Sequence, residues 1–319
     1  MILVTGHLGY LGTHLISELG IRANNIIGLD LKKFNLDRPN GAISYQGSLL
    51  DLPFLTHIFE SHKITSVIHL AATKELISDG DEDLFQNNVI GTSILVSLMK
   101  QFGAPPIVFA STAAVYAPNT SESKISESTS VGPISVYGSS KLKCEEIITT
   151  YAQESNTSAT ILRFFNIAGS KESKLFDHNG KNLSSIAIRA LADNGKIHVF
   201  GSDLPTYDGT PVRDYVHVID AISAIELALK FISAKTNRNS CKIFNIGSEA
   251  GTSVLDILKK IEFYSNKKFL ISYEPQREGE VAMCVSSSNL AKVELGWEPA
   301  FSIDEIIISD VKNSGKFSI

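Results

Sequence analysis

Tyr137 and Lys141 are the residues of this chain whose types and spacing most directly suggest chemistry. They stand four residues apart in the run Val-Tyr-Gly-Ser-Ser-Lys, at the start of a segment with helical periodicity. On a helix that spacing places both side chains on one face, so we expect the Lys141 ammonium near the Tyr137 hydroxyl. A nearby cation favours the phenolate and lowers the pKa of a tyrosine, normally about 10. The pair therefore predicts a tyrosine that acts as a base near neutral pH.

The same spacing recurs at Tyr264 and Lys268, so spacing alone does not identify a site. Tyr264 lies late in an amphipathic segment, with no glycine-rich turn or strand end beside it. We interpret this second pair as structural. A function for Tyr137 must therefore be supported by the elements around it.

A glycine-rich turn follows the first predicted strand. Gly6, Gly9 and Gly12 are three residues apart and directly precede an apolar segment of helical period. Glycines at such a junction permit a tight turn and let the backbone approach a pyrophosphate at the helix N-terminus. The turn therefore predicts dinucleotide binding.

Asp30 ends the second predicted strand, where a carboxylate can bind both ribose hydroxyls and repel a 2′-phosphate. This position favours NAD over NADP. Lys32 and Lys33 follow closely and would weaken the preference. The alternative is a simple turn aspartate beside two solvated lysines.

Ser111 and Thr112 end the fifth predicted strand. A hydroxyl at the carboxyl end of a strand can bond a substrate hydroxyl or carbonyl beside a nicotinamide. A Ser-Thr pair by itself is usually only a turn. Together with Tyr137 and Lys141 on the next helix, it completes a site of three parts.

The first half of the chain alternates short apolar runs with longer amphipathic ones. This pattern is typical of βαβ units and predicts an α/β fold with a doubly wound, Rossmann-like parallel sheet. Helices are predicted at 84–102 and 141–151, and Asp51 followed by Pro53 is a typical helix start. Strands are predicted at residues 2–5, 25–30, 43–46, 66–70, 107–111 and 160–165.

The alternation loosens after Asn166, which predicts a smaller, discontinuous second lobe. Its first piece has a helix at 183–192 and a strand at 197–200. A strand, helix and strand pattern returns at 215–246, and we assign it to the sheet. The expected division is residues 1–166 and 213–247 for the dinucleotide-binding domain, and residues 167–212 and 248–319 for the substrate lobe.

Composition and charge argue against several classes of function. The chain has 43% hydrophobic and 20% charged residues, which is ordinary for a globular protein. Its net charge of −5 gives no basic field for nucleic acid, so local arginines must hold any anionic ligand. We find neither a signal segment nor an apolar run of about 18 residues, so neither secretion nor a membrane span is expected. Cys144, Cys241 and Cys284 are widely spaced, which predicts no disulfide framework, no metal cluster and a cytoplasmic location.

Eight groups of residues carry a family resemblance along nearly the whole chain. They are residues 5–12, 69–72, 87–92, 111–116, 137–141, 163–166, 208–217 and 277–280. On these groups the chain resembles the extended short-chain dehydrogenases/reductases, and among them the UDP-glucose (UDP-galactose) 4-epimerases. The first five groups are widespread in that superfamily, whereas 208–217 and 277–280 are typical of nucleotide-sugar epimerases.

The resemblance implies a reaction and a catalytic trio. Tyr137 would be the base, Lys141 would bind the nicotinamide ribose and lower the pKa of Tyr137, and Thr112 would bond the 4-oxygen of the sugar. The enzyme would oxidise C4 of UDP-glucose or UDP-galactose with NAD, let the 4-keto sugar rotate, and reduce it from the other face. The resemblance also implies a homodimer formed through residues 88–102 and 141–151.

The resemblance also implies which residues bind the two ligands. Two phosphates suit the guanidinium forks of Arg213 and Arg277, although a surface salt bridge is the commoner role of a single arginine. The implied substrate-binding residues are Thr112, Asn166, Asn182, Leu183, Arg213, Arg277, Glu280 and Cys284. The implied cofactor-binding residues are Gly6, Gly9, Tyr10, Leu11, Gly12, Asp30, Asp51, Leu52, Ala71, Lys74, Asn88, Tyr137, Lys141 and Phe164.

Because the chain departs from the family pattern at several positions, the resemblance does not decide which sugar the substrate carries. The loop between Asn166 and Asn182 is shorter and more polar than usual, and Phe164 stands where tyrosine is common. Cys284 matches a position that is either a bulky tyrosine or a small residue, and a small residue there favours N-acetylated hexoses. The alternative for Cys284 is a small core side chain.

Three other functions are weighed against this one. A nucleotide-sugar 4,6-dehydratase has an Asp-Glu pair directly after the Thr112 position, where this chain has Ala113 and Ala114. An epimerase for a UDP-N-acetylhexosamine or a uronic acid remains an alternative. A regulatory protein that only senses NAD would not need Thr112, Tyr137 and Lys141 together.

Overall fold

The main sheet of the molecule is built from strands in the order of a doubly wound fold. The computed structural model describes residues 1–19, 25–33, 42–74, 81–118, 124–178, 180, 182–234, 240–277 and 279–317. The strands are β1 (Ile2–Thr5), β2 (Ile26–Asp30), β3 (Ile43–Gln46), β4 (Ser66–His69), β5 (Ile107–Thr112), β6 (Ala159–Phe164), β7 (Asn166–Ala168), β8 (Lys196–Phe200), β9 (Val212–His217), β10 (Cys241–Ile246), β11 (Gly251–Ser253), β12 (Leu270–Glu274) and β13 (Met283–Cys284).

Seven of these strands form a parallel sheet in the order β10-β6-β5-β4-β1-β2-β3. The chain runs outward from β1 to β3 and then returns to β4 on the other side, with Thr5 paired to His69. Such a switch point opens a crevice at the carboxyl ends of the strands. The predicted doubly wound parallel sheet is therefore confirmed.

Helices follow most of the strands. They are α1 (Tyr10–Leu19), α2 (Leu52–Ser61), α3 (Asp81–Phe85), α4 (Gly91–Gln101), α5 (Val136–Glu154), α6 (Leu183–Asp193), α7 (Val218–Ser233), α8 (Val254–Ser265) and α9 (Ile303–Asn313). The strands β1, β2 and β4 are buried almost throughout, so both faces of the sheet carry buried apolar side chains. Side chains such as Leu15, Leu55, Leu95 and Ile148 complete this core with no exposed surface.

Two predicted helices differ in detail from the structure. Helix α5 is longer at both ends than residues 141–151. It starts at Val136 because the Ser135 hydroxyl caps it by accepting a 3.0 Å bond from the N–H of Gly138. The segment predicted as one helix at 84–102 is α3 and α4 joined by a π-helical turn at Gln86–Ile90. Asp51 caps α2 as predicted, and its Oδ1 accepts a 3.0 Å bond from the N–H of Phe54.

The second unit has its own sheets and its own core. Strand β9 pairs with β11, β13 and β7, and β8 pairs in parallel with β12. Helices α6, α8 and α9 surround a separate apolar cluster that includes Ile188, Ile257, Ile306 and Val311. The unit therefore has a hydrophobic core of its own.

The chain boundaries of the two units differ from the expected division. The first unit consists of Met1–Ala117, Ser130–Arg163 and Ala224–Phe244, and the second of Pro118–Thr129, Phe164–Ser223 and Asn245–Ile319. Residues 213–223 belong to the second unit because β9 pairs with its strands rather than with the parallel sheet. Residues 124–129 belong there because Ile125 exchanges 2.8 Å backbone bonds with Val285 and Ser287.

Candidate active site

The glycine-rich turn after β1 packs against the residues that follow β4. Gly6 has φ +72°, and a Cβ on it would lie 2.6 Å from the backbone nitrogen of Ala71. A Cβ on Gly12 would overlap the Gly6 carbonyl oxygen, which also accepts a 3.0 Å bond from the N–H of Gly9. Backbone rather than side chain therefore borders the N-terminus of α1, as pyrophosphate binding requires.

Asp30 lies at the carboxyl end of β2 and is bonded to the same turn. Its Oδ2 accepts a 2.9 Å bond from the N–H of Leu8, and its Oδ1 accepts a 3.0 Å bond from the N–H of Lys32. Each oxygen has a further lone pair for a ribose hydroxyl. Tyr10 and Leu11 lie half-buried in the first turn of α1. The turn and the carboxylate together fit the phosphates and one ribose of NAD.

Apolar side chains are exposed after the neighbouring strands β2 and β3. Leu31 is 57% exposed, Leu50 37% and Leu52 48%. Leu52 was expected to contact the cofactor beside Asp51, whereas Leu31, directly after the strand end at Asp30, and Leu50 were not singled out from the sequence. Flat apolar surface of this kind suits an adenine ring.

Asn88 joins two parts of the predicted cofactor site. Its Oδ1 accepts a 2.7 Å bond from the N–H of Thr73, and its Nδ2 donates to the Thr73 carbonyl at 2.9 Å and to Ser140 on α5 at 3.0 Å. The π-helical turn Gln86–Ile90 places this amide inside, where the residue is 3% exposed. Asn88 thus fixes the loop that carries Lys74 onto α5.

Thr112 and Tyr137 meet at the carboxyl end of β5. The Thr112 hydroxyl donates a hydrogen bond to the Tyr137 oxygen. The same hydroxyl oxygen accepts a 3.2 Å bond from the N–H of Ala114, which holds the Thr112 side chain in place. The predicted strand-end hydroxyl and the predicted base are therefore in direct contact.

Lys141 is buried one helical turn further along α5. It is 2% exposed, and its Nζ lies 4.1 Å from the centre of the Phe109 ring. Burial lowers the pKa of Lys141 to about 8; Cys144 and Glu145 oppose this shift, and Lys74 adds to it. The ammonium therefore titrates close to neutral pH, so that small changes in its surroundings change its charge.

The pKa of Tyr137 differs from the expectation. Burial raises it above the usual range and Cys144 adds to the shift, while the bond from Thr112 lowers it. Tyr137 as a residue is only half-buried, but the surroundings of its hydroxyl govern the pKa. The predicted low pKa is therefore wrong for this structure, because the cost of desolvating the phenolate is the larger effect.

Glu145 and Arg163 form a buried ion pair beside this trio, and the sequence reasoning missed it. The guanidinium donates from Nε at 3.0 Å and from Nη2 at 2.6 Å to the two carboxylate oxygens. Ser111 donates a 2.5 Å bond to the same carboxylate. Ser111 directly precedes Thr112, and Glu145 lies one turn after Lys141, so the bond from Ser111 ties β5 to α5, and the ion pair ties α5 to β6. The available signal was an acid four residues after Lys141.

In the second unit, Arg213 and Glu280 contact each other. Arg213 lies in β9 and forms an ion pair with Glu280, with both side chains largely buried. The next residue, Asp214, is 1% exposed and accepts bonds from Ser248 and Ser286, each through its N–H and its hydroxyl, at 2.6 to 3.0 Å. Asp214 thus fixes the loops around Arg213, a role that sequence reasoning had not assigned.

Arg277 stacks on an aromatic ring, with its guanidinium carbon 4.0 Å from the centre of Phe200 at the end of β8. The stacking holds a long cationic side chain in place. Phe200 was missed by the sequence reasoning. Glu278 of the 277–280 run lies outside the described residues.

Cys284 lies opposite Arg213 in the pairing of β13 with β9. Burial raises the pKa of its thiol to about 11; Arg213 lowers it and Asp214 raises it. The thiol therefore remains protonated and acts as a small neutral side chain.

The two asparagines expected at the substrate lie at the ends of separate elements. Asn166 starts β7 and bonds through its side chain to the hydroxyl of Tyr215, its partner on β9. Asn182 caps α6, where its Oδ1 accepts a 2.8 Å bond from the N–H of Ser185, and Leu183 is the first helical residue. Phe164, expected on the cofactor, is 5% exposed at the end of β6 and belongs to the second unit.

The structural interpretation of Tyr264 and Lys268 is confirmed. Tyr264 donates a 2.8 Å bond to Asp304, and Lys268 forms an ion pair with Glu262 at 2.8 Å. Helix α8 ends at Ser265, so Lys268 does not continue its face.

The predicted residues therefore form two groups. The glycine turn, Asp30, Lys74, Asn88, Thr112, Tyr137 and Lys141 belong to the first unit, and Asn166, Asn182, Leu183, Arg213, Arg277, Glu280 and Cys284 to the second. Within the described ranges, His, Cys, Asp and Glu side chains form no group of three or more that could hold a metal ion. Among the described helices, none has the length and apolar character to span a bilayer.

Comparison with known proteins identifies the family. The NAD dependent epimerase/dehydratase family matches residues 2–247. The chain belongs to this family. The UDP-glucose 4-epimerase of Haemophilus influenzae is 37% identical over 93% of this chain and 92% of the relative. That of Erwinia amylovora is 35% identical over 96% and 95%. The UDP-glucose 4-epimerase of Bifidobacterium longum, solved with NAD+ and UDP, superposes with a TM-score of 0.87 at 28% identity, covering 98% of this chain and 97% of that one.

Membership of the epimerase/dehydratase family confirms two expectations. The resemblance to extended short-chain dehydrogenases/reductases is confirmed, and NAD is the cofactor. In this family member the glycine turn and Asp30 supply the backbone cradle and the carboxylate that such a cofactor needs.

Proposed function

We propose that this chain is an NAD-dependent epimerase that interconverts UDP-glucose and UDP-galactose. C4 of the hexose is oxidised, the 4-keto sugar rotates, and C4 is reduced from the opposite face. The observation that carries the proposal is the bond from Thr112 to Tyr137, one helical turn before the buried Lys141. Relatives named as UDP-glucose 4-epimerases over nearly the full chain support the substrate class.

The residues of the first unit fit NAD. The turn at Gly6 offers backbone to the pyrophosphate, Asp30 offers a carboxylate to a ribose, and Leu52 offers apolar surface to adenine. NAD held there would supply the acceptor and then the donor of the C4 hydride.

Tyr137 takes the proton of the sugar 4-hydroxyl at its Oη and returns it when C4 is reduced. A phenolate in this enclosed position is a stronger base than a solvated one, because burial raises the pKa of the hydroxyl. The Lys141 ammonium stabilises the phenolate by charge, and the Thr112 hydroxyl holds the 4-oxygen in line.

Arg213 and Arg277 hold the diphosphate while the sugar turns. Guanidinium forks bind phosphate bidentately, and both are preorganised, Arg213 by Glu280 and Arg277 by Phe200. Asn166, Asn182 and Leu183 bind the remainder of the UDP group. A diphosphate anchor lets the hexose rotate without release, which the change of face at C4 requires.

Homodimerisation and a cytoplasmic location are further parts of the proposal. The helical segment 84–102 exposes Phe85 (43%) and Ile90 (44%), and α5 exposes Val136 (37%), which supports a helix-to-helix contact between two copies. The three widely spaced cysteines support a reducing compartment.

Cys284 supports a second candidate substrate, UDP-N-acetylhexosamine. A small, neutral thiol stands beside Arg213, at a position where a tyrosine would occupy more space. A thiol in place of a tyrosine would leave more room for an N-acetyl group at C2 of the hexose.

The test is to incubate the purified protein with UDP-galactose and with UDP-N-acetylgalactosamine in parallel, and to resolve the product sugars. Formation of UDP-glucose supports the primary proposal, and formation of UDP-N-acetylglucosamine alone supports the second candidate. The Tyr137→Phe variant is the control and should form neither product. NAD binding without conversion of either sugar would contradict the epimerase and favour a regulatory NAD-binding protein.

A further inference from the structure

A buried carboxylate near the end of the chain holds both ends of the segment between β7 and α6. Asp310, in α9, is 2% exposed. Its Oδ2 accepts a 3.1 Å bond from the N–H of Gly169 and another bond from the Ser184 hydroxyl. Gly169 follows β7, and Ser184 lies in the first turn of α6. One side chain therefore joins the element that carries Asn166 to the element that Asn182 caps.

Other residues of α9 strengthen the hold on the end of β7. The N–H of Ser170 donates to the Ser309 hydroxyl at 3.1 Å, and the Ser170 hydroxyl donates to the Ser309 carbonyl at 3.3 Å. Asn313 donates a 2.8 Å bond to the Ser170 carbonyl. These bonds attach the backbone just after β7 to α9, a helix that is remote in sequence. Helix α9 therefore fixes the position of this part of the backbone.

Ser184 connects Asp310 to the cap of α6. Its hydroxyl oxygen lies 3.0 Å from Asn182 Oδ1 and also bonds Asp310 Oδ2. A hydroxyl has one proton, so the two acceptors compete for it, and the ionised carboxylate is the stronger acceptor. Asn182 Oδ1 is also held by the N–H of Ser185 at 2.8 Å, which turns the amide nitrogen away from the helix. The N–H of Ser185 therefore sets the orientation of the Asn182 amide, whereas the position of the first turn of α6, which Asn182 caps, depends on Ser184 and, through it, on Asp310.

We propose that Asp310 is a positioning residue for the nucleotide-sugar site. Acting through Gly169 and Ser184, it keeps Asn166 and Asn182 in the arrangement that binds the UDP part of the substrate. The inference rests on the proposed function, which makes these asparagines substrate residues. Asp310 and Ser184 do not touch the reacting atoms, so their loss weakens UDP binding and leaves the rate of the chemistry at Tyr137 unchanged.

Two neighbouring serines provide a matched pair of variants. Ser184 and Ser185 are 1% and 0% exposed, respectively, and both lie in the first turn of α6. The Ser184 hydroxyl bonds Asp310, whereas the Ser185 hydroxyl has no hydrogen-bond partner in the part of the chain that the structure describes. Ser184→Ala and Ser185→Ala remove the same atom from equally buried sites, but only Ser184→Ala removes the bond to Asp310 and the 3.0 Å contact with Asn182 Oδ1.

The experiment measures the affinity of the NAD-loaded protein for UDP by calorimetry, and kcat with saturating UDP-galactose. We expect Asp310→Asn to weaken UDP binding about 30-fold, because it removes the charge that holds both segments, and Ser184→Ala about fivefold, because it removes only one of the bonds to that charge. Ser185→Ala should stay within about twofold of wild type. The affinity for NAD and kcat should stay within about twofold for all three.

The possible failures are distinguishable. If the wild-type protein binds UDP and Ser184→Ala behaves like Ser185→Ala, the inference is overturned; the serine pair decides even if Asp310→Asn fails to fold. A parallel loss of NAD affinity in Ser184→Ala would indicate general loosening and would also overturn it. If the wild-type protein does not bind UDP, the proposed function itself fails.

Discussion

The two units bury acidic side chains in different ways. In the first, Glu145 is 3% exposed and bonds the guanidinium of Arg163 at two points. Burial disfavours the Arg163 cation, but the bonds and charge of Glu145 raise its pKa above the usual range. In the second, Asp310 bonds an N–H and a hydroxyl, and burial raises its pKa to about 6. The first unit therefore contains a buried charge pair that persists at neutral pH, whereas the second unit contains a buried carboxylate whose pKa is raised to about 6.

Tyr137→Phe should have the largest effect, and it separates the two units most clearly. Removing the base should lower kcat with UDP-galactose about 10⁴-fold, the upper end for general acid–base catalysis. The affinity for UDP, which depends on the second unit, should remain within about twofold. Steady-state kinetics and UDP titration test this, and turnover within tenfold of wild type would contradict the assignment of the base.

Glu145→Gln tests the paired charge of the first unit. It leaves the Arg163 cation buried without its counter-ion, so the free energy of unfolding should fall by about 4 kcal/mol in urea titrations. Glu146→Gln is the matched control, because Glu146 is the next residue on α5 and its ion pair with Lys143 is exposed. The control should change stability by less than about 0.5 kcal/mol. Equal effects of the two variants on the free energy of unfolding would mean that the buried ion pair stabilises the fold no more than the exposed one.

Asp310 should give the second unit a pH dependence. Because its folded pKa of about 6 is raised from 3.8, the fold favours the protonated carboxyl. The resulting stability is present below about pH 4 and is lost as the pH rises through about 6, up to about 3 kcal/mol for a shift of this size. The unfolding free energy of wild type relative to Asp310→Asn should therefore fall between pH 4 and pH 7. If this difference in unfolding free energy stays constant or increases between pH 4 and pH 7, Asp310 does not have the raised pKa that distinguishes the second unit from the first.

Of these variants, Arg213→Ala should have the smallest effect. It should weaken substrate binding and leave the chemical step nearly unchanged. Losing one charged fork on the diphosphate should raise KM for UDP-galactose about 30-fold, equivalent to about 2 kcal/mol, with kcat nearly unchanged. Arg213→Lys keeps the charge but not the fork, so its KM should lie between the two. Kinetics with all three proteins test this, and an unchanged KM in Arg213→Ala would remove Arg213 from the diphosphate site.

Features that depend on a few neighbouring residues could be predicted from the sequence. The turn at Gly6 and the cap at Asp51 are local, and the strand-end hydroxyl of Thr112 follows from an apolar run. The contact of Thr112 with Tyr137 then follows from the order of strands and helices in a doubly wound sheet.

Features that depend on remote partners could not be predicted. Strand β9 was assigned to the wrong sheet because the pattern at 215–246 looks like a βαβ unit, while its pairing with β7, β11 and β13 is set by distant residues. The pKa of Tyr137 was given the wrong direction because burial depends on the whole fold. Asp310 and Glu145 were overlooked because an acid on a helix is usually on the surface.

Helix α4 directly follows the π-helical turn at Gln86–Ile90, so the direction in which its apolar face points, here called its phase, depends on the number of residues in that turn. Each helical residue advances by about 100°, so deleting one residue from this turn would rotate α4 by that angle relative to α3. Asn88 would then swing away from Thr73, and the apolar face of α4 would turn toward water. Substitutions at the exposed Phe85 or Ile90 keep that phase intact. The exposed positions of this segment should therefore tolerate changes of residue type without rotating α4, whereas a change in the number of residues should not be tolerated.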